Sequence, residues 1–120
     1  VIVADGIGYL AELYRCGSVA YVGGSFTTGV HNVMEPAVLE LPVLFGPRID
    51  NSYEARRLVE LGSATVVGTA QDFARELTAL LGDRTLLEAK GAAAAQFIRS
   101  HCGAAVRCVD LIEKYLKPRR

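Results

Sequence analysis

The sequence has no CxxC pair, no apolar run approaching the roughly 20 residues of a membrane span, no recognisable leader, and no excess of either charge. Its three cysteines (Cys16, Cys102 and Cys108) are odd in number and scattered, which suits a reducing cytosol and small core or surface thiols rather than a disulfide framework. His101 and Cys102 with Cys108 beyond them fall short of a metal site, because good third and fourth ligands are missing; no metal and no cofactor is expected. Thirteen basic and thirteen acidic residues cancel, so no global field would recruit nucleic acid or an anionic membrane. The local basic run Lys117-Pro118-Arg119-Arg120 reads as a solvated tail in preference to a lipid-surface contact. An initiator methionine is also lacking. Val1-Ile2-Val3-Ala4 reads as a buried strand entered near its start, so the chain is expected to be an excised piece with something functional upstream.

What is present belongs to a folded domain. The sequence is 120 residues long, 51% hydrophobic, with mean hydropathy +0.26, too apolar for a disordered segment and long enough for one modest core. Short apolar runs alternate with amphipathic stretches, the pattern of a parallel sheet covered by helices. Val1–Ala4, Val19–Val22, Val43–Phe45 and Ala64–Val67 are the expected strands. Helices are expected over 6–16, where Ile7, Leu10, Leu13 and Tyr14 keep helical spacing, and over 32–39. Asn51 with Glu54 resembles a capping box and Gly62 suits the far end of that helix. Thr69 with Asp72 offers another cap, Gly82 a stop, and Thr85-x-x-Glu88 a further start running to about His101 through Gly91. Gly103 precedes a last helix in which Ala105, Val109, Ile112 and Leu116 share a face. The reading is one α/β domain, a Rossmann-like parallel sheet with helices on both faces and a helical C-terminal layer.

In such sheets ligands bind beyond the carboxyl ends of the strands. Three glycine-bearing turns gather there: Asp5 to Gly8, Gly23 to Asn32, and Gly46 to Asn51. The middle turn is the richest, with two hydroxyls and a helix start whose free N–H groups favour an anion. Asn32 and Glu35 suit an N-cap with its partner. They equally suit a site in which the Glu35 carboxylate accepts from a ribose diol and His31 donates to a phosphate or sugar carboxylate.

Val22-Gly23-Gly24-Ser25, then Gly29-Val30-His31-Asn32-Val33-Met34-Glu35-Pro36-Ala37, then Pro42-Val43-Leu44-Phe45-Gly46-Pro47 and Asn51 strongly resemble the Kdo (3-deoxy-D-manno-octulosonic acid) transferase family. Asp5-x-x-Gly8-x-Leu10 with Leu13-Tyr14 matches the segment just upstream. The resemblance implies the C-terminal, donor-binding half of a two-domain GT-B glycosyltransferase. It implies CMP-Kdo as donor, a lipid A precursor as acceptor, metal-free inverting transfer in lipopolysaccharide biosynthesis, and work at the cytoplasmic face of the inner membrane. It assigns Gly8, Gly24, Ser25, His31, Asn32 and Glu35 to the donor, with Asn51 a further candidate. The general base, the acceptor site and membrane attachment would belong to an absent N-terminal domain, leaving residues 1–120 as a soluble donor-binding domain inactive alone. Three positions depart from the family pattern: Val30 stands where a glycine is common, Tyr9 where a glutamate is common, and Ser52 where an aromatic frequently follows Asn51. A GT-B half that uses a UDP-sugar would place Glu35 similarly. A non-catalytic α/β module of the response-receiver kind would need an acidic cluster beside the first strand; Asp5 stands alone, and Lys90 falls in the late helical region.

Overall fold

Three short apolar runs pair as strands β1 (Ala20–Val22), β2 (Val43–Phe45) and β3 (Ala64–Val66) of one parallel sheet, in that order, with β2 central. The computed structural model describes residues 1–116. The basic run over 117–120 lies outside the described residues. Register sets Ala20 and Ala64 beside Val43, and Val22 and Val66 beside Phe45. Alternate residues of a strand point to opposite faces. Val22, Val43 and Phe45 therefore share one face and join the main core. Residues of three helices complete that core: Ala37 of α2 (Met34–Val38), Ala55 and Leu58 of α3 (Tyr53–Glu60), and Ala94, Phe97 and Ile98 of α5 (Arg84–Ser100). On the other face the Tyr21 ring meets Phe73 of α4 (Ala70–Gly82) edge-on, with centroids 5.6 Å apart. On the same face, across β2, the Lys90 ammonium donates to the Thr65 hydroxyl. Helices thus cover both faces, as the alternation of apolar runs predicts.

The helix ends carry the expected chemistry with some changes of residue. Thr69 and Asp72 form a reciprocal capping box, and α4 ends at Gly82. Asp83 then caps α5 by accepting from the Leu86 N–H, so that helix starts one residue before the predicted Thr85 signal. At α3 the cap is Ser52, whose hydroxyl accepts from the Ala55 N–H, and not Asn51. Asn51 is committed elsewhere, as described below.

Three expectations are corrected, and a fourth element forms with a packing of its own. Val1–Ala4 is not a strand: Val1, Ile2 and Val3 are exposed, and no described strand pairs with them. A β-branched run supplies propensity, but a strand also needs a neighbour for its N–H and C=O groups. The first helix, α1 (Leu10–Tyr14), is shorter than its predicted span. α2 begins at Met34 rather than Asn32, and its C-cap Leu39 precedes Glu40, whose φ of 64° is left-handed. Finally, α6 (Ala104–Leu116) forms as expected after Gly103, yet none of its residues is buried. Packing in the C-terminal layer therefore comes from α5, whose Gly91 lies directly against Glu40 at the end of α2.

Candidate functional site

The segment from Gly23 to Asn32 leaves β1 and reaches the start of α2 as a tightly tied loop. Thr27 and Gly29 both donate backbone N–H bonds to the Gly24 carbonyl (3.0 and 3.1 Å), and His31 N–H returns to the Gly23 carbonyl at 3.0 Å. Gly24 (φ 87°) and Gly29 (φ 117°) adopt the left-handed conformation that side chains disfavour. A Cβ on Gly24 would also lie 2.6 Å from the His31 imidazole. The loop can close beneath that ring only because position 24 has no side chain.

A second turn, from Gly46 to Ser52, braces the first. Ser25 is fully buried, and its Oγ accepts the Gly46 N–H at 2.6 Å. Arg48 N–H donates to the Ser25 carbonyl (2.9 Å), and Val30 N–H to the Arg48 carbonyl (3.0 Å). The Val30 side chain itself enters the main core. Among the described residues Glu40 is the only non-glycine with positive φ. A β-branched residue therefore fits at 30 without strain, in the place where glycine is common in the family pattern.

The loop delivers three exposed polar side chains to one place. Asn32 Oδ1 accepts the Met34 N–H at 2.9 Å, while its Nδ2 donates to Glu35 Oε1 at 3.1 Å. One amide thereby caps the start of α2 and orients the Glu35 carboxylate, which is not the capping-box geometry the sequence allows. It also uses the Met34 N–H, one of the donors that an anion at this helix start was expected to meet. The opposite wall comes from α1. Leu10 and Tyr14 join Tyr21, Val22, Gly23, His31, Asn32 and Glu35 around a groove of about 340 Å³. An adjoining recess of about 400 Å³ holds Gly6, Ile7, Gly8 and Ala11 beside Leu10 and Glu35. Glu35 lies where the two meet.

Burial raises the pKa of the Tyr14 phenol, and the charge of Glu35 raises it further. The hydroxyl therefore keeps its proton at neutral pH and can donate a hydrogen bond. The groove combines that donor with an imidazole, an amide and a carboxylate, a set that matches a sugar diol and an oxyanion together. A separate apolar recess of about 320 Å³ between Tyr21, Phe26, Val67 and Phe73 has aromatic walls but almost no polar surface to hold a charged ligand. Among the described residues no three His, Cys, Asp or Glu side chains gather as metal ligands.

No protein-family model matches the chain. It is 36% identical over 120 residues to a 3-deoxy-D-manno-octulosonic acid transferase of Haemophilus influenzae, a match covering 98% of this chain and 28% of that protein. A transferase of the same name from Chlamydia pneumoniae is 31% identical over 119 residues, covering 97% of this chain and 27% of the relative. Among solved structures, the C-terminal CMP-Kdo binding domain of WaaA from Acinetobacter baumannii superposes with a TM-score of 0.72 at 30% identity. That match covers 78% of this chain and 50% of the other. The chain belongs to the Kdo transferase family. It spans about a quarter of the length of the curated relatives it matches.

The residues that the Kdo transferase resemblance singles out divide into two groups. Gly8, His31, Asn32 and Glu35 line the groove and its adjoining recess, with Gly24 directly beneath the His31 ring. Ser25 and Asn51 do not present free groups there. Ser25 is buried with its oxygen on Gly46, and both polar atoms of the Asn51 side chain are engaged by the Val30 peptide. In this structure both side chains brace the loop. Sequence reasoning missed Tyr14 and Tyr21 as walls of the groove. Helical spacing counts Tyr14 with the apolar residues of α1, and only the fold brings its hydroxyl to the groove beside Glu35.

Proposed function

We propose that the groove around Glu35 binds CMP-Kdo, making this chain the donor-binding part of a Kdo-transferring glycosyltransferase. The carrying observation is the convergence of Tyr14, His31, Asn32 and Glu35 on one rigid loop-to-helix junction beyond the carboxyl end of β1. Family membership and the CMP-Kdo binding named for the related Acinetobacter domain support the choice of nucleotide. On this reading Glu35, with one oxygen held by Asn32, accepts from the ribose hydroxyls. His31 and the Tyr14 hydroxyl donate to the phosphate or the sugar carboxylate. An acceptor hydroxyl on a lipid A precursor displaces CMP at the anomeric carbon. The general base, the acceptor site and attachment to the cytoplasmic face of the inner membrane belong to the rest of a full-length enzyme. No described helix is long and apolar enough to cross a membrane.

Titration with CMP and with UMP, followed by backbone NMR and calorimetry, tests the assignment. CMP should bind more tightly and shift His31, Asn32 and Glu35. Losing one charge-assisted hydrogen bond costs about 1.5–3 kcal/mol, so Glu35→Ala should weaken CMP roughly 10- to 150-fold. If Glu35 serves only the helix start, the variant should instead lose about 1 kcal/mol of stability and keep its affinity. Tighter binding of UMP would favour a UDP-sugar donor. Shifts confined to another surface would remove the site altogether.

A further inference from the structure

We infer that Asn51 is a positioning residue: it clamps the Val30 peptide and so holds His31 and Asn32 in the geometry that the groove requires. The inference rests on the nucleotide reading above for its functional consequence but not for its structural part.

The contact is bidentate and joins residues 21 positions apart in sequence. Asn51 Nδ2 donates to the Val30 carbonyl at 2.9 Å, and Asn51 Oδ1 accepts the Val30 N–H at 3.1 Å. A primary amide facing a peptide group in this way reproduces the pairing between two backbone strands, and only Asn or Gln among side chains carries both halves of it. The next residue in the chain is His31. The preceding one, Gly29, lies so close that a Cβ there would be 2.6 Å from the Asn51 carboxamide carbon. The clamp therefore needs a residue without a side chain at 29 as well as an amide at 51.

The two halves of the contact are unequal. Val30 N–H also donates to the Arg48 carbonyl at 3.0 Å, so it keeps a partner without Asn51. For the Val30 carbonyl, the bond from Asn51 Nδ2 is the side-chain contact that a substitution would remove. Asn51→Asp retains the acceptor and replaces the donor with a carboxylate oxygen, setting two oxygens against each other. Asn51→Ala removes both interactions without repulsion. A clamp predicts that the Asp variant is the more damaging one, despite matching Asn in size. A preorganised loop binds more tightly because ordering is not charged to the binding step, so both variants should bind more weakly.

The test uses the 120-residue chain and its Asn51→Ala and Asn51→Asp variants, with CMP as the probe. In ligand-free NMR spectra both variants should shift the His31 and Asn32 amides and speed hydrogen exchange at Val30, with Asp exceeding Ala. CMP affinity should fall about 10-fold or more in Asn51→Asp. At saturating CMP, the His31 and Asn32 resonances should return towards their wild-type bound positions; a purely global loss of stability would instead weaken the ligand-free native peaks without shifting them. Unchanged ligand-free His31 and Asn32 signals in both variants overturn the clamp. So does direct ligand contact, read as a CMP-induced shift of the wild-type Asn51 side-chain NH2 with those ligand-free signals unmoved. If the wild-type chain binds no CMP, the nucleotide reading fails, and the ligand-free spectra still decide the clamp.

Discussion

Gly91→Ala puts helix propensity and tertiary packing in direct opposition. Position 91 is inside α5, where replacing glycine by alanine should stabilise an isolated helix by about 1 kcal/mol. In the folded chain, however, a Cβ at 91 would sit 2.7 Å from the carbonyl carbon of Glu40 and closer still to its oxygen. Carbon–carbon contacts are comfortable at about 3.5–4.0 Å, so relieving the carbon contact alone would part α5 and the end of α2 by roughly 1 Å, and the nearer oxygen demands more. The obstructing atoms are backbone, in a residue already held at φ 64°, and no side-chain rotation relieves them. Overpacking of this kind typically costs about 1–3 kcal/mol, and a clash with backbone belongs at the upper end. The expected net effect, after the gain in propensity, is a loss of about 1–2 kcal/mol, read as a lower urea midpoint by circular dichroism. Because α2 also carries Glu35, CMP affinity should fall with it. A midpoint equal to or above wild type would show that the α2–α5 approach is looser than the structure has it and that propensity dominates.

Other outcomes follow from single contacts. Ser25→Ala leaves the buried Gly46 N–H without its acceptor and should cost about 1–3 kcal/mol in chemical denaturation, while CMP affinity at constant folded fraction changes less than twofold; a large loss of affinity with intact stability would mark Ser25 as a nucleotide contact instead. Tyr14 has a folded pKa raised above its unfolded value, so its contribution is fully present below about pH 10 and is lost as pH rises through the folded pKa. Tyr14→Phe should therefore flatten the alkaline decline of stability above pH 10, measured as midpoint against pH, and an unchanged slope would contradict the burial of that hydroxyl. Asp72 behaves oppositely. Hydrogen bonds from Thr69 and then Arg75 lower its pKa, so its stabilisation is present above the usual carboxylate range and fades as pH falls through the depressed value. Asp72→Asn should remove that acid-side dependence, and an unaltered acid limb would count against the capping box.

Much of the framework was legible in the sequence because it rests on local chemistry. Ala20–Val22, Val43–Phe45 and Ala64–Val66 are short apolar runs between glycine-bearing turns and amphipathic helices, and such runs have few alternatives to a covered parallel sheet. The Thr69–Asp72 box and the stop at Gly82 involve residues within one turn of each other, so spacing alone specifies them. The motif from Gly29 to Pro36 likewise carried the family resemblance and placed His31, Asn32 and Glu35 together. Tertiary structure decided what depends on a partner distant in the chain. Val1–Ala4 has the composition of a strand, but composition cannot supply the neighbour a strand pairs with. Asn51 looked like a helix cap because its pattern with Glu54 is local; the Val30 peptide, 21 residues earlier, claims its amide and leaves Ser52 to cap α3. Ser25 has the residue type of a ligand donor, and only burial against Gly46 shows that its oxygen is already committed. Gly91 reads as a weak point in a helix until Glu40 is seen against it. In each case the deciding atoms meet through the fold, where a side chain's own sequence neighbours carry no information about its partner.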